Sequence, residues 1–200
     1  MRKSPIFSLL LSAPGRLCLF GEHMDWCRRA VLPAAIDMRV FLEAQTTDKE
    51  LAEVYSYPPF ESYSAFPVGK PDVNHKGDLR YVHGVVEAYG RRGTKLKGMR
   101  IRFLTADEMA EKTGKPRNQF TDLPVQKGLS SSAALCVAAS AAIGLLQSHD
   151  PSGEDLKSPE KLGFYADLAY TAERKILGIN CGQMDQYASA FGGILYIDCG

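Results

Sequence analysis

The chain has 200 residues, of which 45% are hydrophobic and 24% charged, and its formal net charge is +1. These proportions are ordinary for a soluble globular protein with its own core, and the near-neutral charge gives no reason to expect a nucleic-acid or membrane partner. The five cysteines include no C-x-x-C pair, which argues against a disulfide framework or a zinc site and favours a reducing, cytoplasmic location. The basic and apolar start of the chain is too short to predict a secretion signal, and no apolar run reaches the length of a membrane span.

The first third of the chain predicts strands separated by polar turns. The clearest strand covers residues 36–43, where apolar and polar side chains alternate with the period of a half-buried strand. A polar cluster from Gly21 to Trp26 interrupts the pattern, and Pro58 and Pro59 interrupt it again. Strands are predicted in this part of the chain over residues 16–20, 36–43, 54–57 and 63–66.

The middle of the chain predicts one helix and one strand. Residues 78–92 carry apolar side chains at helical spacing, and Gly93 is a typical helix stop. Residues 99–104 alternate again as a strand. Residues 106–118 are charged and irregular, which predicts a surface insertion whose charges need no role beyond solvation.

The stretch from Leu123 to Gln147 predicts a turn followed by a buried helix. Gly128 allows the turn, and residues 130–132 are three serines placed where a helix leaves its first N–H groups unpaired. Residues 133–146 are apolar on almost every face, as in a buried helix. Such a helix start is a good anion site, although a serine-capped core helix that binds nothing has the same pattern. The motif is not a P-loop, because Lys127 precedes the glycine.

The last part of the chain predicts another helix and a final strand. The run Ser158-Pro159-Glu160 combines a cap, a first-turn proline and an acidic side chain, which together indicate a helix start. An apolar stripe continues to Ile176, and Gly178 predicts the end of the helix. Residues 194–199 predict a strand.

Glu173 is the most unusual acidic residue in these elements. Its neighbours three and four positions away on the helix are mainly apolar, and a buried carboxylate without a partner is costly. Either Arg174 or Lys175 pairs with it at the helix edge, or it is a ligand for a cation such as Mg²⁺. Three histidines lack any partner pattern and are interpreted as surface or packing residues: His75, His83 and His149.

Other polar residues also allow both structural and functional interpretations. Asp185 follows a glycine turn, where an aspartate commonly caps a helix. Arg16 lies in an apolar strand and suits an edge-strand salt bridge. Glu22, His23 and Asp25 form an acceptor-rich cluster suited to the hydroxyls of a polyol, although such clusters are often only turns.

Three blocks of residues, taken in order, resemble a known family. The first runs from Ala13-Pro14-Gly15-Arg16 through Gly21-Glu22-His23-Met24-Asp25 to Val31-Leu32-Pro33, the second from Pro124 through Gly128 to Ala134, and the third comprises Glu173 and residues 181–186. Together they are similar to the N-terminal portion of the GHMP-family small-molecule kinases, and most similar to the galactokinase-like sugar kinases. The resemblance covers residues 12–200, with 44–120 matching only in general layout.

The resemblance implies an α+β fold like the second domain of a small-subunit ribosomal protein, with a mixed sheet and packed helices. Residues 1–200 would form the N-terminal, ATP-binding domain, with the second domain missing. The chain is therefore expected to be a fragment that is inactive or very weak alone. We expect it to expose an apolar face where the missing C-terminal domain would dock.

The resemblance also implies ATP-dependent phosphorylation of a sugar hydroxyl, with ATP and Mg²⁺ as cofactors. Phosphoryl transfer depends mainly on positioning and charge neutralisation, which requires a base, a cation and donors. The resemblance assigns binding of the nucleotide phosphates to Gln126, Lys127, Gly128, Leu129, Ser130, Ser131 and Ser132. It assigns Mg²⁺ binding to Ser132 and Glu173, the role of the base to Asp185, and stabilisation of Asp185 and the phosphoryl group to Arg16. Sugar binding is assigned to Glu22, His23 and Asp25.

The chain departs from the galactokinase pattern at several positions. Gln126 and Lys127 stand where glycines are usual, Trp26 replaces a tyrosine, and residues 27–29, Cys-Arg-Arg, replace an Asn-Gly-type hairpin. The departures on the substrate side favour a related sugar over galactose itself. Two alternatives stay open: a kinase-like sensor that binds sugar and ATP to regulate a partner protein, and a mevalonate-type kinase of the same family.

Overall fold

In the part of the chain that the structure describes, six strands form a mixed sheet, and helices pack on both of its faces. The computed structural model describes residues 7–56, 61–148 and 153–200. The strands are β1 (Ser8–Phe20), β2 (Leu32–Thr46), β3 (Leu51–Tyr55), β4 (Tyr63–Pro67), β5 (Met99–Leu104) and β6 (Thr121–Asp122). The helices are α1 (Arg80–Arg91), α2 (Ala106–Thr113), α3 (Ser131–Ser148), α4 (Pro159–Tyr170) and α5 (Met184–Phe191), and a π-helical turn, Thr171–Ile176, continues α4. The architecture agrees with the predicted α+β class.

The strands lie in the order β1-β2-β5-β3-β4, with β6 alongside β2. β2 pairs antiparallel with both β1 and β5, whereas β3 runs parallel to β5, so the sheet is mixed. The predicted alternation in β2 places Leu42 in the main core and Phe41 on the opposite face, where it packs with Leu104. Both faces of β2 are therefore covered at this point.

Helix α3 is the centre of the helical layer, as the apolar pattern predicts. It is enclosed by β1, β2, α1, α4 and α5, and its small side chains let these elements approach closely. A Cβ atom added at Gly144 would lie only 2.6 Å from Cε1 of Tyr165. The helix has 18 residues and extends beyond the apolar run 133–146, and by length and composition alone it could span a membrane. Most of it is buried inside the protein.

The charged segment 106–118 is more regular than its sequence suggests, because residues 106–113 form α2. The Thr105 hydroxyl accepts a hydrogen bond from the Glu108 N–H at 3.2 Å, and the Glu108 carboxylate accepts one from the Thr105 N–H at 2.9 Å. This reciprocal pair is a capping box. Met109 packs with Phe41 in a second apolar cluster. The expectation of an irregular segment was wrong for residues 106–113, which form a helix on the second face of the sheet. That residues 106–118 are an insertion stays a prediction.

Two further boundaries differ from the sequence predictions. β1 begins at Ser8 rather than at residue 16, because Leu9 and Leu11 pack against the core. Residues 194–199 form two isolated antiparallel bridges, from Ile194 to Ala34 in β2 and from Ile197 to Val31 just before it, instead of a continuous strand. Some residues of the sequence predictions fall outside the described part of the chain: Tyr57, Pro58, Pro59 and His149.

His83 is a buried packing residue, as predicted. Its ring stacks on Phe66 at a centroid distance of 3.7 Å and on His75 at 4.6 Å. Nδ1 accepts a hydrogen bond from the Asp72 N–H at 3.0 Å, and Nε2 lies 3.0 Å from the Ser64 hydroxyl. Burial, reinforced by the neighbouring His75, lowers the pKa of His83 to about 4, so the ring is neutral at physiological pH.

Candidate active site

Arg16 and Asp185 form an ion pair although 169 positions separate them in the chain. The register of β1 against β2 shifts between Pro14 and Arg16, and such irregularities commonly re-aim side chains at functional sites. Nε and Nη2 of Arg16 lie 2.7 and 2.6 Å from Asp185 Oδ1, and Arg16 is only 8% exposed. Nη1 donates to the Gly128 carbonyl at 3.3 Å, and Nη2 lies 3.6 Å from Glu22 Oε1. One guanidinium therefore joins α5, the serine-rich loop and the polar turn after β1.

Asp25, and not Asp185, caps α5. Asp25 Oδ2 accepts a hydrogen bond from the Met184 N–H at 3.1 Å, and Oδ1 accepts one from the Trp26 N–H at 3.0 Å. Gly182 permits this approach, because an added Cβ would lie 1.9 Å from Asp25 Oδ2. The interpretation of Asp185 as a simple helix cap is therefore wrong. Asp185 lies in the first turn of α5 with its carboxylate directed to Arg16.

The polar turn after β1 contains three candidate ligand-binding residues, and their environments differ. Glu22 and His23 have side chains that are 49% and 74% exposed, and the His23 ring meets the edge of Trp26 at a centroid distance of 5.5 Å. Asp25 is buried, and both of its oxygens accept backbone hydrogen bonds. Glu22 and His23 are thus open to a ligand, whereas Asp25 primarily fixes the turn against α5.

The loop 126–130 lies against β1 and leads into the N-terminus of α3. Its backbone has positive φ angles at Gln126 (58°), Gly128 (72°) and Ser130 (60°). The Arg16 N–H donates to the Leu129 carbonyl at 3.2 Å, and a Cβ added at Gly15 would lie 2.7 Å from that oxygen. The glycine therefore brings β1 close to the loop. The positive φ of Gln126 also explains why a glycine would suit that position.

The serines at the start of α3 have different surroundings. Ser130 Oγ is buried and has no hydrogen-bond partner among the described residues. Ser131 is the first residue of α3. Ser132 is hydrogen-bonded through its side chain to Glu173, which brings two residues predicted to hold Mg²⁺ together. A buried hydroxyl without a partner beside a helix N-terminus fits an anion site.

Glu173 lies in the π-helical turn and is 2% exposed. Its Oε2 accepts a hydrogen bond from Gln186 Nε2 at 2.5 Å. Burial raises the pKa of Glu173 to about 7, although the hydrogen bonds from Gln186 and Ser132 oppose this increase. The alternative that Arg174 or Lys175 relieves the carboxylate was wrong, because Arg174 donates to Asn180 Oδ1 instead and Glu173 forms no ion pair within the described residues. Single π turns frequently mark functional sites.

The donor set around Glu173 fits a cation that also binds phosphate oxygens. Ser132 and Glu173 provide a hydroxyl and a carboxylate, and Mg²⁺ typically takes one or two protein oxygens together with substrate oxygens. The described part of the chain contains no cluster of three or more His, Cys, Asp or Glu residues that could hold a metal alone. Gln186 Oε1 is also buried without a hydrogen-bond partner in that part of the chain.

Comparison with known protein families identifies the class to which this fold belongs. The sequence matches the GHMP kinases N terminal domain over residues 80–193 and the galactokinase galactose-binding signature over residues 2–46. The first match covers more than half of the chain, and the chain therefore belongs to the GHMP kinase family. This confirms the family resemblance predicted from the three sequence blocks.

Curated relatives extend the similarity to galactokinases. The chain is 34% identical over 181 residues to the galactokinase of Thermosipho africanus, a match that covers 90% of this chain and 43% of the relative. It is 32% identical over 196 residues to the galactokinase of Chloroflexus aggregans, covering 94% and 42%. The chain therefore spans less than half the length of these relatives.

Solved structures confirm the predicted fold. The Lactococcus lactis galactokinase complexed with galactose matches with a TM-score of 0.70 and 24% identity, over 96% of this chain and 45% of that one. The Methanococcus jannaschii mevalonate kinase matches with a TM-score of 0.71 and 18% identity, over 96% and 54%. At these identities the likeness concerns the fold alone.

The sequence alone did not single out two residues that contribute to the site. Gln186 is fully buried and bonds Glu173, and Gly182 makes room for Asp25. Both lie in the 181–186 block used for the resemblance, but their contacts join elements that are distant in sequence. A glutamine in an otherwise apolar helix face was the available signal for a buried polar partner.

Proposed function

We propose that the protein catalyses ATP-dependent phosphorylation of a sugar hydroxyl, as a galactokinase-like enzyme. The observation that carries this proposal is the Arg16–Asp185 pair beside the serine-rich loop, where a carboxylate, a fixed cation and a helix N-terminus adjoin. The match to the galactose-binding signature supports a sugar as the acceptor.

Asp185 is assigned as the base that accepts the proton of the attacking hydroxyl. Arg16 holds Oδ1, while Oδ2 receives no hydrogen bond from any residue in the described ranges and is the oxygen assigned to the substrate. Arg16 also places a positive charge near the transferring phosphoryl group. In other phosphoryl-transfer enzymes a well-placed arginine is worth roughly 10³–10⁵ in rate.

The loop Gln126–Ser132 is assigned to the phosphates of ATP. Backbone N–H groups at the start of α3 and the partnerless Ser130 hydroxyl support this assignment. Ser132 and Glu173 would hold Mg²⁺, which neutralises phosphate charge when it is bound. The buried Glu173 carboxylate, whose pKa is raised to about 7, would be stabilised in its ionised form by such a cation.

The substrate side is assigned to the polar turn after β1. Glu22 and His23 would contact sugar hydroxyls directly, and Asp25 would contact the sugar while it anchors the turn to α5. The free thiols of all five cysteines support a cytoplasmic location. Sugar and ATP are the proposed small-molecule partners, with no nucleic-acid or membrane partner.

An apolar face at the end of β1 is proposed as an interface within a longer protein. Leu17 lies opposite Ala34 in β2, and Ala34 bridges to Ile194. Leu17 and Ile194 are exposed, as are Phe20 and Tyr196 nearby. The galactokinase relatives extend to more than twice the matched length, so we propose that this face packs against the corresponding C-terminal domain.

The proposed activity is tested by measuring ADP release from the native-length protein with Mg-ATP, galactose, related sugars and mevalonate. We expect sugar-dependent ADP release that falls by at least about 10³-fold in Asp185→Asn, because the substitution removes the base and its charge while the side chain keeps its shape. Nucleotide binding, measured as a rise in melting temperature, should persist in that variant.

Activity near wild type in Asp185→Asn would contradict the assignment of the base. Ligand-dependent stabilisation without ADP release in the wild type would instead support the sensor alternative. ADP release with mevalonate only would support the mevalonate-type alternative.

A further inference from the structure

Gln186 is a fully buried polar residue in the first turn of α5, directly after Asp185 in the chain. Its Nε2 donates a hydrogen bond to Glu173 Oε2 at 2.5 Å and lies 3.8 Å from Cys181 Sγ. Its Oε1 is buried and accepts no hydrogen bond from the residues that the structure describes. The nitrogen of this amide is therefore engaged, whereas the oxygen is unpaired.

The carboxylate of Glu173 determines the orientation of this amide. An ionised carboxylate only accepts hydrogen bonds, so a flipped amide would place Oε1 of Gln186 against Oε2 of Glu173 and bring two acceptors together. The unpaired Oε1 is consequently the result of directing Nε2 at the carboxylate.

Packing alone does not account for a glutamine at this position. A buried acceptor without a donor keeps its desolvation cost, and an apolar side chain of similar shape would avoid that cost. Other buried residues of α5 include Met184 and Ala188, so apolar side chains suit the buried part of this helix. The hydrogen bond from Nε2 to Glu173 is the feature that explains the glutamine.

Glu173 has few other groups to hold its carboxylate in place. It is 2% exposed and forms no ion pair within the described ranges, and its side-chain hydrogen bonds there come from Gln186 and Ser132. Two such bonds leave lone pairs on the carboxylate for a cation. Hydrogen-bond partners of this kind orient metal-ligating carboxylates, and their loss weakens metal binding or activity by roughly 10–100-fold.

We propose that Gln186 is a positioning residue, which holds the Glu173 carboxylate in the orientation that binds the Mg²⁺ of Mg-ATP. The inference rests on the proposed function, because Glu173 is assigned as a metal ligand only there. Gln186 contacts neither phosphate nor sugar in this assignment and acts through Glu173. Since Gln186 follows Asp185, the helix that carries the proposed base also fixes the proposed metal ligand.

The test measures how much Mg²⁺ strengthens nucleotide binding. Calorimetry gives the dissociation constant of a non-hydrolysable ATP analogue with excess Mg²⁺ and with EDTA, and the ratio of the two constants is the Mg²⁺ advantage. Gln186→Met keeps the approximate shape of the side chain and removes the donor. We expect the Mg²⁺ advantage to fall about tenfold, while the affinity for the metal-free analogue changes less than about twofold.

A second variant covers the case in which Gln186→Met does not fold. Gln186→Asn keeps the amide and shortens the side chain by one methylene, which draws the nitrogen away from Glu173 Oε2. It should lower the Mg²⁺ advantage in the same direction. In both variants the Mg²⁺ concentration that gives half-maximal ADP release should rise by a similar factor.

A double-mutant cycle distinguishes an effect through Glu173 from a direct one. In a Glu173→Gln background the metal ligand is already lost, so adding Gln186→Met should change the Mg²⁺ advantage by less than about twofold. Independent effects of the two substitutions would instead multiply.

Ser189→Ala is the matched control on the same helix. Ser189 is 3% exposed, and its Oγ is buried without a hydrogen-bond partner among the described residues. This substitution tests whether any change at a buried polar position of α5 alters metal binding, and it should leave the Mg²⁺ advantage within about twofold of wild type. Circular dichroism melting of each variant verifies folding.

An unchanged Mg²⁺ advantage in the Gln186 variants would overturn the inference, as would an equal loss in Ser189→Ala or multiplying effects in the double variant. If wild type releases ADP with sugar while the Gln186 variants keep the full advantage, the inference fails and the proposed function stands. If wild type binds the analogue no better with Mg²⁺ than with EDTA and releases no ADP, the proposed function fails as well.

Discussion

At the scale of single residues, Gly182 controls how closely the turn after β1 approaches α5. A Cβ at this position would lie 1.9 Å from Asp25 Oδ2, the oxygen that accepts the Met184 N–H. Gly182→Ala should therefore displace Asp25 and lower the free energy of unfolding by about 1–3 kcal/mol, the usual cost of a lost buried hydrogen bond with strain. Urea denaturation measures this change, and sugar affinity should fall with it.

Gly163→Ala in α4 is the matched control. The nearest atom to its added Cβ is Phe191 Cζ at 4.0 Å, and its backbone is helical. The substitution should raise stability by up to about 1 kcal/mol, because alanine has the higher helix propensity. Similar destabilisation by both substitutions would show that crowding against Asp25 is not the cause.

Glu173 gives a prediction on pH at the same scale. Its pKa is raised from 4.5 to about 7 in the folded protein, so the unfolded chain releases this proton at lower pH. The contribution of protonated Glu173 to the free energy of unfolding is complete below pH 4.5 and is lost as pH rises toward and through 7. The free energy of unfolding falls by at most roughly 1.4 kcal/mol per pH unit over this range. Without Mg-ATP, Glu173→Gln should therefore be more stable than wild type above neutral pH.

The measurement is urea denaturation of wild type and Glu173→Gln at about pH 4.5, 6 and 8, values that bracket the shift. The two should be nearly equal at the lowest pH, and the advantage of the variant should grow toward the highest. Mg-ATP should stabilise the wild type more than the variant, because only the wild type offers the carboxylate. Parallel stability curves would contradict the buried, partly protonated carboxylate.

At the scale of elements, the capping box makes α2 a structural part of the sheet's second face. Thr105→Ala removes the hydroxyl that accepts the Glu108 N–H, which should cost about 0.5–2 kcal/mol in the free energy of unfolding. Thermal and urea denaturation both measure this loss. Glu111→Ala, an exposed position on the same helix, should change stability by less than about 0.5 kcal/mol. An unchanged free energy of unfolding in Thr105→Ala would mean that α2 contributes little to folding.

Elements with strong local patterns were predictable from the sequence. The alternation in β2, the helical spacing in α1 and the Ser158 cap of α4 each follow from the chain alone, and each is present. The start of β1 and the π-helical turn were not predicted, because they depend on packing between elements. Helix α2 was missed although Thr105 and Glu108 carry the local signature of a capping box. Residues 194–199 have a strand-like composition but form two isolated bridges.

The candidate site shows the same division between local and distant information. The three sequence blocks contain Arg16, Asp185 and Glu173, and their residue types indicated the chemistry. The pairing of Arg16 with Asp185 across 169 positions was expected only from the family resemblance, and the contact of Gln186 with Glu173 through the π turn and α5 did not follow from the sequence. The capping role of Asp25 also required the fold, since it bonds to Met184 159 positions away.

At the scale of the whole molecule, the exposed apolar side chains are not scattered evenly. Leu17, Phe20, Ile194 and Tyr196 gather where the end of β1, the start of β2 and the last residues of the chain adjoin. Isolated surface hydrophobics are common, but a contiguous group indicates an interface.

The final prediction follows from that face. In the 200-residue chain, replacing Phe20 and Ile194 together by serine should reduce both the binding of a dye for exposed apolar surface and self-association measured by light scattering. Removing apolar area from water stabilises by about 25 cal/mol per Å², so these residues drive such contacts. Val125→Ser is the control, because Val125 is an exposed apolar residue in the loop before α3 and is not one of the four residues of this face. In a longer form of the protein whose C-terminal domain covers the face, the same pair should instead lower the free energy of unfolding, since the serines would then be buried. Equal effects from the pair and from Val125→Ser in the short chain, or no loss of stability in the longer form, would contradict the proposed interface.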